Sequence, residues 1–130
     1  MQILIDVNLE GDAELIFALL VKEGWAELLE LEFVYFTEAS LPADSDDTTV
    51  WRSAQAKGML LLTNNRNADD ETSLTTTIRR ENTEAALPVL TVANPTRLKE
   101  SAYRKMIAER IAEILFYLED YLGTGRLFIP

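Results

Sequence analysis

The sequence predicts an α/β fold: a three-layer α/β/α sandwich on a mainly parallel five-stranded sheet. Two observations carry this. First, short apolar runs stop at small polar residues: Ile3-Leu4-Ile5 ends at Asp6-Val7-Asn8, Met59-Leu60-Leu61-Leu62 at Thr63-Asn64-Asn65, and Val89-Leu90-Thr91-Val92-Ala93 at Asn94-Pro95. Their apolarity is continuous rather than alternating, as in strands covered on both faces of a parallel sheet. Second, helix-period segments separate the runs, giving the order β-α-β-α-β-α-β-α-β. Right-handed crossovers are expected, placing helices on both faces.

Each element has its own signal. The first helix is expected over Asp12 to Gly24, with Leu15, Ile16, Leu19 and Leu20 apolar and Gly24 as its stop. Phe33-Val34-Tyr35-Phe36 reads as a strand. Asp46 and Asp47 open a helix over Thr48–Lys57 that turns Val50, Trp51 and Ala54 inward and stops at Gly58. Ser73–Glu81 is a shorter helix. A long one is expected from Thr96 to Leu122, carrying Leu98, Tyr103, Ile107, Ile111, Ile114, Leu115, Leu118 and Leu122. That stripe is broad enough for core packing plus a flank for a second subunit, so a homodimer is expected. Arg126-Leu127-Phe128-Ile129 is the last strand. With no repeat, low-complexity segment or linker, the 130 residues read as one domain.

Composition removes several chemistries. The chain has no Cys, hence no disulfide, thiolate zinc site or cysteine nucleophile. It has no His, hence no Ser-His-Asp triad and no imidazole metal ligand. Ser and Thr are present, but none has a visible base. Neither GxxxxGK[ST] nor GxGxxG occurs, so those phosphate-cradling loops are absent. Trp25 and Trp51 read as packing residues rather than a platform for bases. No apolar run approaches the roughly 18 residues of a membrane span, and the opening strand leaves no room for a signal peptide. A cytoplasmic protein without membrane attachment is expected.

The formal net charge is −10, from 12 basic and 22 acidic residues. Residues 1–50 hold one basic and 12 acidic residues, whereas residues 51–130 are nearly balanced, with 11 basic and 10 acidic. Such a distribution excludes coating of nucleic acid by bulk charge. A local phosphate site is still compatible with it, because Arg66, Arg97 and Lys99 map to one edge of the expected sheet.

In open parallel sheets ligands bind outside the carboxyl ends of the strands. Those ends deliver Asp6, Asn8, Asn64, Asn65 and Asn94 to one edge, and the second helix adds Asp46 and Asp47. Two or three such carboxylates could meet and hold Mg²⁺ or Mn²⁺, since Mg²⁺ takes one or two protein carboxylates and keeps several waters. Equally, Asp46 or Asp47 could simply cap its helix. Asn65 and Asn67 offer neutral oxygens to an ion or hydrogen bonds to a substrate, though Asn also suits a tight loop. Arg66 suits phosphate or carboxylate. Arg97 lies in an expected first helical turn, capped by Thr96, where a cation is disfavoured unless an anion or a nearby acid such as Glu100 offsets it.

Together these residues resemble a PIN-like domain of the group whose N-terminus reads LxDxNL, here Leu4-Ile5-Asp6-Val7-Asn8-Leu9. The second shared element is an Asp opening a helix before a glycine and an apolar strand. Here it is Asp46-Asp47-Thr48-Thr49-Val50-Trp51, then Lys57-Gly58-Met59-Leu60-Leu61-Leu62-Thr63. The resemblance covers roughly residues 1–94, with 95–130 as an extension. It implies a metal-dependent nuclease fold, often acting on RNA and often found in toxin–antitoxin modules. Asp6 matches the first metal-binding Asp, and Asp47, or less closely Asp46, the second acidic position. In the family the strand then enters a T-x-D-x-D loop, whose acidic positions fall here on Asn65 and Asn67. Asp69 and Asp70 follow and could substitute.

Two functions follow from this reading. One is a Mg²⁺- or Mn²⁺-dependent ribonuclease, with catalytic Asp6 and Asp47. Its ion shell would be completed from Asp46, Asn65, Asp69 and Asp70, and substrate held by Asn8, Asn64, Arg66, Asn67, Asn94 and Arg97. The other is a non-catalytic PIN-like protein that binds or regulates a protein or small-molecule partner.

Overall fold

A computed structural model describes residues 1–65 and 73–130. Five strands form one sheet: β1 (Gln2–Ile5), β2 (Glu32–Val34), β3 (Met59–Thr63), β4 (Val89–Val92) and β5 (Arg126–Ile129). Their order is β2-β1-β3-β4-β5, and every pairing is parallel. The three central strands are buried along their length apart from Gln2, as their unbroken apolarity requires.

The alternating side chains of these strands divide the core in two. On one face, Ile3, Ile5, Leu60, Leu62, Leu90 and Val92 pack with Ala13, Ile16 and Leu20 of α1 (Glu10–Lys22) and Ile107, Ile111 and Ile114 of α5 (Ser101–Phe116). On the other, Leu4, Met59, Leu61 and Val89 meet Val50, Trp51 and Ala54 of α3 (Asp47–Ala56) and Leu74 of α4 (Leu74–Glu81). The three-layer sandwich is therefore as expected. A one-turn helix, α2 (Trp25–Leu28), follows Gly24, whose φ of +84° ends the first helix.

Two expectations need correction. The segment Thr96–Leu122 is not one helix. It is a 3₁₀ turn over Pro95–Lys99, an extended Glu100, α5, and a second 3₁₀ turn over Leu118–Asp120. Arg104 Nη1 donates to Leu98 O at 2.8 Å across the break, and Thr96 is not a cap but lies inside the first turn. The crossovers also do not share one hand. The β4–β5 connection runs the same way across the sheet as the two before it, but over the opposite face, so its hand is opposite to theirs. The apolar stripe of α5 explains this. It covers the part of the sheet that α1, packed beside it, leaves bare, while α3 and α4 already fill the other side.

Candidate functional site

The chain leaves β1 toward β2 and returns past it to β3, so the connections after β1 and β3 diverge to opposite faces. A crevice is expected at such a switch point. A cavity of about 350 Å³ opens there, lined by Asp6 and Asn8 after β1, Thr63, Asn64 and Asn65 at the end of β3, and Asp47 at the start of α3. Ser45 and Leu74 also line it, together with the apolar Val7, Phe36, Ala43, Val50 and Leu61.

Asp6 sits at the head of a short 3₁₀ turn, where its Oδ1 accepts from Asn8 N at 3.2 Å. Its Oδ2 accepts from the buried Thr63 hydroxyl at 2.6 Å. That same hydroxyl accepts from Asn65 N at 3.0 Å. Asp47 Oδ2 accepts from Asn65 Nδ2 at 2.7 Å and from Leu74 N, the first residue of α4, at 3.0 Å. A chain of hydrogen bonds thus runs Asp6–Thr63–Asn65–Asp47 along the floor of the cavity.

The adjacent aspartates have separate tasks. Asp46 is the cap of α3: its Oδ1 accepts from Thr49 N at 2.8 Å, and this hydrogen bond holds its carboxyl below the ordinary value. It is exposed and does not line the cavity. Asp47, one residue later, does.

Asn94 and Arg97 lie beyond β4, outside the cavity lining. Asn94 N donates to Tyr103 Oη at 3.0 Å. Arg97 stands 4.6 Å from the Tyr103 ring centroid and 3.5 Å from Glu100, so local partners offset its charge. Arg66, Asn67, Asp69 and Asp70 lie outside the described residues.

Two contributors had no role in the sequence reading. Thr63 ends an apolar run, and only the strand register sets it beside Asp6. Arg126 opens β5, yet its Nη1 donates to Asn65 O at 2.8 Å and its Nη2 to Thr75 Oγ1 at 3.2 Å. Burial lowers its pKa, and the Asp47 carboxylate opposes that shift. The sequence signal was a lone charge at the head of an apolar strand.

The cavity therefore holds two carboxylates, three Asn side chains and a Thr hydroxyl, with a guanidinium bonded to the strand end behind Asn65. Among the described residues no three acidic side chains gather as a metal-binding group. Two carboxylates with amide oxygens nearby suit a hydrated hard cation better than a tightly caged one. The chain matches no protein-family model, no curated protein and no solved structure.

Proposed function

We propose that the chain is a PIN-like domain acting as a Mg²⁺- or Mn²⁺-dependent ribonuclease with a reduced acidic site. One observation carries the reading: Asp6 and Asp47, from opposite ends of the first half of the chain, line the same polar cavity at the β1/β3 switch point. Asp6 and Asp47 would hold the ion, with Asn65 Oδ1 as a neutral oxygen beside them. A bound divalent cation supplies an activated water and neutralises charge on phosphate. The protein's own part is orientation: Thr63 and Asn8 fix the Asp6 carboxylate, while Asn65 and Leu74 fix that of Asp47. Purified protein with single-stranded RNA and Mn²⁺ tests this. Metal-dependent cleavage abolished by Asp6→Ala is expected, whereas no cleavage, or cleavage that survives the substitution, overturns it.

A second reading has its own observation. The Asn65 amide donates to Asp47 where the family pattern has a carboxylate. That exchange removes a negative charge and favours a PIN-like protein that binds a partner without chemistry. Calorimetry with Mn²⁺ separates the two: binding that is lost in Asp47→Ala supports the enzyme, and its absence supports the binding protein.

The proposal includes a cytoplasmic setting, to be tested by localising a tagged chain, and association through α5. Met106 and Phe116, both exposed on that helix, support the latter. Sedimentation equilibrium is expected to give a homodimer, and a monomer at high concentration refutes it.

A further inference from the structure

Beside the cavity, on the edge strand β5, the structure carries a second feature that the ribonuclease reading does not use. Thr63 pairs with Thr91, and Thr91 with Phe128, so these three side chains form one row on the α3/α4 face of the sheet, leading from Asp6 to the sheet edge. Phe128, a residue 54% exposed, ends that row. Arg126, two residues earlier on the same face, places its guanidinium carbon 5.7 Å from the Phe128 ring centroid.

Arg126 is well placed to take an anion. Among the described residues its two side-chain hydrogen bonds go to a carbonyl and a hydroxyl, both neutral, and it forms no ion pair with a carboxylate. Two of its five N–H donors are engaged in those bonds, leaving Nε–H and one N–H on each terminal nitrogen. Arg126 is partly buried, and although the Asp47 carboxylate acts on it through space, its guanidinium keeps N–H donors that an arriving anion would engage. A charged residue on an edge strand can also serve only to block strand addition. Arg126 does not fit that role, because its head group turns inward to Asn65 and Thr75.

We propose that Arg126 and Phe128 form a subsite for single-stranded RNA next to the Asp6–Asp47 cavity, with Arg126 on a backbone phosphate and Phe128 stacked on the adjoining base. An exposed ring beside a guanidinium matches the two recurring parts of a single-strand site, an aromatic platform and a phosphate cation. The subsite rests on the ribonuclease reading for its ligand class, but it can be measured without cleavage. Its electrostatics also fit the whole molecule: with a net charge of −10, strand binding must rely on a local cation.

The experiment is fluorescence anisotropy with a labelled oligouridylate in EDTA, repeated with Mn²⁺, on the full chain. Phe128→Ala is expected to weaken binding about fivefold or more, since stacking on one ring contributes that much. Arg126→Gln is expected to weaken it comparably and to lower the salt slope by about 1, while Arg126→Lys retains most of the affinity. Mn²⁺ affinity should stay within about twofold in Phe128→Ala, because the ring lies outside the ion's carboxylates. Phe128→Ala also guards against misfolding, since its side chain is exposed. Unchanged oligonucleotide affinity in Phe128→Ala and Arg126→Gln overturns the subsite, even if the wild type cleaves RNA. Wild-type binding that falls in both variants, without any cleavage, upholds the subsite and overturns the ribonuclease. No binding by the wild type overturns the subsite.

Discussion

The Thr63 hydroxyl donates to Asp6 Oδ2 at 2.6 Å and accepts from Asn65 N at 3.0 Å, tying the end of β3 to the end of β1. Through the Asn65 amide the same network reaches Asp47. The two carboxylates are therefore held by one strand end, and a change in that strand acts on both.

Thr63→Val keeps the shape of the side chain but removes its donor, leaving Asp6 Oδ2 and Asn65 N without their partner. A loss of about 1–3 kcal/mol is expected, because a buried polar group left unmade costs more than an average hydrogen bond contributes. Thr63→Ser should recover most of it. Urea denaturation of the three proteins measures this; equal midpoints for Thr63→Val and wild type would disprove the role given to the hydroxyl.

Asn65→Asp places a second carboxylate against Asp47, where the amide now donates at 2.7 Å. Two carboxylates sharing one site raise the pKa of one of them in the folded state. The sign follows: a folded pKa above the unfolded value means relative stability is retained at low pH and lost as pH rises through the raised value. At neutral pH without metal the variant should melt below wild type, and Mn²⁺ should restore it by binding the folded state. Calorimetry should show Mn²⁺ affinity increased by about tenfold or more, as befits an added charge at short range. Unchanged affinity would mean that the cavity does not bind cations through this pair.

Asp46 provides the contrasting case. Its carboxyl is held below the ordinary value by the Thr49 N–H, so its folded pKa is depressed. The stability it gives is present above the unfolded pKa and lost as pH falls through the folded one. Asp46→Ala should cost about 1 kcal/mol at pH 7, with the gap closing in acid. Mn²⁺ binding should be unaffected, because the residue does not line the cavity. Thermal melts at pH 7 and pH 3 test the first point, and titration with Mn²⁺ tests the second.

Much of this arrangement was legible in the sequence, because the central strands are apolar without a break and Gly24 and Gly58 mark helix ends. The same runs end in Asp6 and Asn65, which is why the crevice residues could be named from their strands. The break before α5 was not legible, since Leu98 and Tyr103 are both buried and fit one continuous stripe. The hand of the last crossover was also hidden. It depends on which face α1 leaves uncovered, a tertiary fact that no local pattern encodes. The separate tasks of Asp46 and Asp47 turn on one residue of cap placement, finer than periodicity can resolve. Arg126 was missed for a related reason: its partners Asn65 and Thr75 are distant in sequence, and only the parallel order brings β5 to that side.

The turn that launches β5 sets where Arg126 begins. Gly123 has φ +82°, and a Cβ there would stand 2.8 Å from the Glu84 carbonyl oxygen, a backbone atom. Two hydrogen bonds dock the turn on the segment between α4 and β4: Gly123 N donates to Ala86 O at 3.0 Å, and Asn82 Nδ2 donates to Gly123 O at 2.9 Å. It cannot move away from Glu84 without losing these bonds. Gly123→Ala therefore combines left-handed backbone strain with a steric overlap, and a loss of at least about 1–3 kcal/mol is expected. At Gly24, also in the left-handed region (φ +84°), a Cβ would meet nothing within 4 Å. Gly24→Ala should accordingly cost only about 1 kcal/mol from backbone strain. Urea denaturation of both variants checks the ordering; an equal effect at the two sites would show that the contact with Glu84 relaxes freely.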